Sequence, residues 1–158
     1  MKPNEKTNVM RLLDSRKIPY ISRFYEPDGK LTGAEIAERL GEMTEKVFKT
    51  LVTVGKTGSH YVFVIPVLAE LDLKKAARAA GEKSIDMIRQ KELLPLTGYI
   101  HGGCSPIGMK KPFPTFLHET AAGLETICVS AGKVGAQIEL APQDLGTVVQ
   151  YVLADLVV

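Results

Sequence analysis

The chain has 158 residues, 45% of them hydrophobic, and a net charge of +2 spread over well-mixed acidic and basic side chains; this is enough sequence for one domain that buries roughly 70% of the surface its unfolded chain exposes. Two cysteines, Cys104 and Cys128, exclude a disulfide framework, and Met1-Lys2-Pro3-Asn4-Glu5 lacks the apolar core of a signal peptide. No apolar run approaches the roughly 20 residues of a spanning helix, so a cytoplasmic protein with no membrane role is expected.

Val9, Leu12 and Leu13 follow one helical face, and Pro19 closes that element before an apolar run from Tyr20 to Tyr25 that reads as a strand. Glu26-Pro27-Asp28-Gly29 is a turn. Thr32-Gly33-Ala34-Glu35 forms a capping box, which starts a helix running to Leu40 with Gly41 as its C-terminal cap. Val47 to Val54 and His60 to Pro66, rich in β-branched residues and joined by Gly55-Lys56-Thr57-Gly58, read as a hairpin. Asp72 caps a helix through Ala80 that stops at Gly81, and Met87 to Leu94 reads as a further short helix ahead of Pro95. Strands follow near Thr115 to Leu117, Glu125 to Val129 and Gln137 to Leu140. Pro142 opens a last helix through Val149, and Tyr151 to Val158 returns as an edge strand. Hairpins interrupted by helices give an α+β domain with a mixed sheet, not the regular alternation of a nucleotide-binding fold.

Between these elements lies Gly102-Gly103-Cys104-Ser105-Pro106-Ile107-Gly108, a loop with few side chains to offer. Glycines permit positive φ and close approach, so such a loop works through backbone N–H groups that converge on a phosphate, carboxylate or oxyanion. Two common motifs fail here. A P-loop needs lysine and a hydroxyl after the last glycine, where Met109 and Lys110 stand; a nucleophile elbow needs glycine where Ile107 stands. A plain turn between strands remains the alternative.

Lys49 lies inside the apolar run Val47-Phe48-Lys49-Thr50-Leu51-Val52, where strand alternation sends it either to solvent or into a pocket. His60, His101 and His118 show no metal-ligand spacing and neither cysteine has a CxxC partner, so no metal and no cofactor are expected. Cys104 with His118 as nucleophile and base requires a depressed thiol pKa that sequence does not reveal. Cys128 reads as core, Asp144 as a helix-dipole partner and Glu139 as an exposed strand residue.

Phe48-Lys49-Thr50-Leu51, Leu71-Asp72-Leu73-Lys74-Lys75-Ala76-Ala77, Thr97-Gly98-Tyr99-Ile100-His101-Gly102-Gly103, Ser105-Pro106-Ile107-Gly108-Met109-Lys110-Lys111 and Ser130-Ala131-Gly132-Lys133 together resemble, in order, the motifs of the YbaK/EbsC family. These are free-standing relatives of the editing domain of bacterial prolyl-tRNA synthetase, and the resemblance is strongest to the YbaK type, the Cys-tRNA(Pro) deacylases. It spans nearly the whole chain. The implied fold is a mixed, partly barrel-like sheet surrounded by helices. The family's essential lysine falls on Lys49, its glycine pair on Gly102 and Gly103, and its Ser-Pro on Ser105 and Pro106. Thr50 sits beside the lysine, Tyr25 at the pocket edge, and Ser130 and Gly132 on the turn that lines the same pocket. Cys104 stands where relatives carry an aliphatic residue, which argues against a nucleophilic role.

The resemblance also implies a reaction, in which the thiol of a bound cysteine attacks its own ester carbonyl. Its partners would be the acceptor end of an aminoacylated tRNA and, in a transient complex, prolyl-tRNA synthetase. A water-using deacylase of Ala- or Ser-charged tRNA and a non-catalytic tRNA- or phosphate-binding module are the rival expectations.

Overall fold

A computed structural model describes residues 5–27 and 30–158. Two positions of the expected turn, Asp28 and Gly29, lie outside the described residues. In chain order the elements are α1 (Asn8–Ser15), β1 (Ile21–Phe24), α2 (Gly33–Arg39), β2 (Phe48–Gly55), β3 (His60–Pro66), α3 (Leu73–Ala80) and β4 (Ile85–Met87). They continue as α4 (Gln90–Thr97), β5 (Thr115–His118), β6 (Ile127–Ser130), β7 (Ala136–Leu140), α5 (Pro142–Val148) and β8 (Tyr151–Ala154). No helix among the described residues is long and apolar enough to cross a membrane.

The strands form an antiparallel sheet β1-β7-β6 and a five-stranded mixed sheet β4-β2-β3-β5-β8, in which β5 runs parallel to both β3 and β8. The β2-β3 hairpin pairs Phe48 with Pro66 through to Val54 with His60. Along β3 the alternation feeds two cores at once: Val62 and Val64 face the first, Phe63 and Ile65 the second. A strand buried on both faces reads in sequence as the continuous apolar run seen here. The first core joins the two sheets through Val52, Val64, Val129 and Ile138 and is closed by Met10 and Leu13 of α1. The second lies under α3, where Ala76 and Ala77 meet Phe63 and Phe116. An isolated bridge, Val47 to Cys128, links β6 to the residue just before β2. The sheets therefore wrap partly around the first core, but they remain two sheets and do not close into a barrel.

Local chemistry explains most boundaries. Thr32 and Glu35 make both hydrogen bonds of the capping box on α2, and the Asp72 carboxylate accepts from the N–H groups of Lys74 and Lys75 at the start of α3. Gly81 ends α3 in the left-handed conformation. The expected helix from Met87 to Leu94 is corrected. Ile85–Met87 is a strand, because Ile85 buries itself against the second core and pairs with Gly55, and the helix begins only at Gln90 and runs through Pro95. Pro95 removes one helical N–H, yet the turn holds through the Gly98 N–H donating to the Leu94 carbonyl at 2.8 Å and the Thr97 hydroxyl donating to the Leu93 carbonyl at 2.7 Å.

Candidate active site

A cavity of about 580 Å³ opens where β2 begins, walled by the N-terminal turn of α2 on one side and the glycine loop on the other. Its lining includes Tyr25, Lys49, Thr50, His101, Gly102 and Ser130. Adjacent strand residues point to opposite faces, so a cavity that touches both Lys49 and Thr50 must wrap around the edge of the strand. Among the described residues no strand pairs with that edge between the Val47–Cys128 bridge and Thr53. The Val67 N–H donates to the Val47 carbonyl and the Gly55 N–H to the Ser59 carbonyl, both at 2.8 Å, so the odd-numbered residues of β2 exchange hydrogen bonds with β3. The backbone N–H and C=O of Thr50 consequently point the other way, and β4 pairs with β2 only from Thr53 onward. The Thr50 hydroxyl is buried with no hydrogen-bond partner among the described residues. An unmade hydrogen bond at a buried polar atom costs about 1 to 3 kcal/mol, a deficit that a bound polar group would relieve.

The glycine loop contributes main chain. The Gly103 N–H donates to the Ile100 carbonyl at 3.0 Å, closing a turn whose third residue, Gly102, has φ +87°. Glycine is the residue that a turn of this kind requires at that place. Since the Gly103 N–H is committed inside the turn, Gly102 is the member of the pair that reaches the cavity. Gly103 is buried instead against the backbone of Lys133 and Val134, where a Cβ would stand 2.9 Å from the Val134 nitrogen.

Ser105 is fully buried and its Oγ accepts from the Ile107 N–H at 3.2 Å, while Pro106 is also buried; both shape the loop from behind and neither lines the cavity. Ser130 lines it, but Gly132, two residues on and at φ +99°, borders a separate groove. Cys104 is in the lining, and burial pushes its thiol up to about 12, which holds it protonated and a poor nucleophile near neutral pH. Cys104→Ser is accordingly expected to retain most activity, and a loss beyond about a hundredfold in kcat/KM would revive covalent catalysis.

The model of the aminoacyl-tRNA editing domain matches residues 27–148. The chain belongs to that family. It is 51% identical over 143 residues to EbsC of Enterococcus faecalis, provisionally named a Cys-tRNA(Pro)/Cys-tRNA(Cys) deacylase, with 90% of this chain and 87% of that protein covered. A segment is 32% identical over 78 residues to the proline–tRNA ligase of Pelobacter propionicus, covering 49% of this chain and 14% of the ligase. Among solved structures, one described provisionally as a trans-editing enzyme for prolyl-tRNA synthetase superposes with a TM-score of 0.82 at 26% identity, covering 98% of this chain and 99% of that one.

His101 and Gln137 are among the lining residues that sequence reasoning missed. His101 was set aside for want of metal spacing, yet its place beside Gly102 in the turn carries it to the rim. Gln137 lies at the end of the cavity nearest sheet β1-β7-β6, with its amide nitrogen 2.9 Å from Oε1 of Glu42 in the hydrogen-bonded orientation. Glu42 leads into a charge network on the outer face of that sheet. Arg23 lies 3.3 Å from Glu42 and 2.6 Å from Glu139, Lys46 lies 2.7 Å from Glu139, and the Thr126 hydroxyl donates to Glu139. The expectation of an exposed Glu139 is therefore corrected: it is 8% exposed, because the segment from Glu42 to Lys46 folds over this face and brings a cation with it. Burial works against its ionisation, but Lys46, Thr126 and Arg23 outweigh burial and hold the carboxyl down at about 2. Among the described residues, no group of three His, Cys, Asp or Glu side chains is placed to hold a metal ion.

Proposed function

We propose that this protein removes cysteine from mischarged Cys-tRNA(Pro), and that the cavity at the start of β2 is where it does so. The observation that carries this reading is the convergence of Lys49, the buried Thr50 hydroxyl and Gly102 in one cavity whose lining thiol is held neutral. Its volume suits an aminoacyl-adenosine group. The 51% identity to EbsC supports cysteine as the amino acid.

Lys49 supplies a positive charge for the terminal phosphate or the ester carbonyl, and Thr50 and Gly102 offer hydrogen bonds to the same end of the substrate. The substrate brings its own nucleophile. Its thiol attacks the ester carbonyl, a C–S bond forms, the C–O bond to the ribose breaks, and the proton leaves with the departing 3′ oxygen. The products are uncharged tRNA and a cysteine thiolactone. Negative charge on the carbonyl oxygen peaks midway, where a single well-placed donor is worth about 3 to 4 kcal/mol.

The same reading includes a transient complex with prolyl-tRNA synthetase, which would supply the tRNA selectivity that a net charge of +2 does not. The resemblance of part of this chain to proline–tRNA ligases supports that pairing. The test is single-turnover deacylation of proline tRNA charged with cysteine, serine or alanine, with and without the synthetase. Cysteine is expected to be released at least about a hundredfold faster than serine, its oxygen counterpart, because thiolate is the far stronger nucleophile. Equal rates would replace the thiolactone route with attack by water, and no turnover of any substrate would leave a binding module.

A further inference from the structure

We infer that the groove on the far side of the glycine loop is a phosphodiester site that holds the single-stranded end of the tRNA as it enters the editing cavity. The inference rests on the deacylase reading above. The groove, of about 320 Å³, runs between the start of α1 and the turns that follow α4 and β6. Lys6, Arg11, Lys110 and Lys133 line it, and among the described residues no carboxylate does. The chain as a whole carries 20 basic and 18 acidic side chains, so a lining with four cations departs sharply from that balance. Asp14 reaches Lys6 at 2.6 Å from α1 without lining the groove.

Position gives the charge its meaning. The groove and the cavity share the same two connecting segments. Gly98 and Tyr99 border the groove and His101 and Gly102 the cavity, while Ser130 borders the cavity and Gly132 the groove. A strand whose terminal adenosine sits against Lys49 therefore has a cationic hollow next to it, on the other side of one turn of backbone. The surroundings are also open to close approach of a sugar-phosphate chain. Gly98, Gly108 and Gly132 all hold positive φ at the groove wall and present no side chain there. Phosphates are bound mainly by such cations, and contacts of this kind position a nucleic acid without reading its sequence.

The test uses the exposed pair Arg11 and Lys110 in the double variant R11Q/K110Q, compared with K56Q/K83Q, which removes the same charge at the opposite end of β2. Two substrates are needed: cysteinyl-tRNA(Pro), and the cysteine ester of adenosine, which has no phosphodiester chain. For R11Q/K110Q the KM for the charged tRNA is expected to rise roughly tenfold at unchanged kcat, with cleavage of the adenosine ester unaltered. The salt dependence of tRNA binding is expected to flatten by about 0.7 in log–log slope for each lost contact, the increment for a single strand. K56Q/K83Q is expected to leave the KM within about twofold and the slope unchanged. An unchanged KM and slope in R11Q/K110Q, an equal effect in K56Q/K83Q, or a parallel loss on the adenosine ester would overturn the assignment. If the wild-type protein cleaves neither substrate, it is the deacylase reading that falls, and tRNA binding by the two variants still separates groove from bulk charge.

Discussion

Lys49→Ala is expected to lower deacylation of Cys-tRNA(Pro) by at least about a thousandfold, because Lys49 is the only lysine or arginine among the described residues that line the cavity. The fold should survive. Lys49 is only half-buried, its pairing with Ile65 is made by backbone groups, and alanine costs at most about 1 kcal/mol of strand preference, a fall in Tm of about 2 to 4 °C. Thermal unfolding beside single-turnover rates checks both halves. A folded variant that turns over at the wild-type rate would remove Lys49 from the mechanism.

Glu139→Gln is expected to be the more damaging change for stability, with a loss of about 3 kcal/mol measured by denaturant unfolding at neutral pH. Arg23 and Lys46, each less than a third exposed at the side chain, would face one another across a neutral amide. The pH dependence follows from the direction of the shift. A carboxyl whose folded pKa is near 2 stabilises the native state wherever it is ionised in both states, and that contribution drains away as pH falls from about 4.5 to about 2. Burial raises the neighbouring Glu42 in the opposite sense, so its contribution is present at low pH and lost as pH rises through its folded value. Acid unfolding of the wild type should thus begin below about pH 4.5, while Glu139→Gln should show a flatter profile over the same window. A profile identical to wild type would mean that the carboxylate carries no net stability.

The hairpin, the capping box and the glycine-terminated helix α3 were legible because each rests on neighbours in sequence: alternation over Val47 to Val54, Thr32 with Glu35, Asp72 ahead of Leu73 and Gly81 behind. Local rules failed where distant chain decides. Ile85 has no strand signature of its own and becomes one by docking on Gly55, and Glu139 alternates like a surface residue until Lys46 and Glu42 arrive from 93 and 97 positions away. The cavity shows the same division. Lys49 and Gly102 were visible as unusual residues in their segments and Thr50 only through the family resemblance, but Gln137 and His101 become lining only through the packing of two loops and a sheet edge. Gly103 looked like a partner for Gly102 in sequence. Its N–H was already committed to the Ile100 carbonyl, something only the closed turn reveals.

The contact between Gly103 and the main chain of Lys133 and Val134 leaves no room for even one added carbon. Two loops that touch backbone to backbone have no side chain between them to yield, so neither slides on the other without opening both. The partition between the cavity at the start of β2 and the cationic groove is therefore a wall of packed main chain. Side chains on either side are free to change what each hollow accepts, while the separation between the hollows stays a constant of the fold, a gauge set by peptide planes alone.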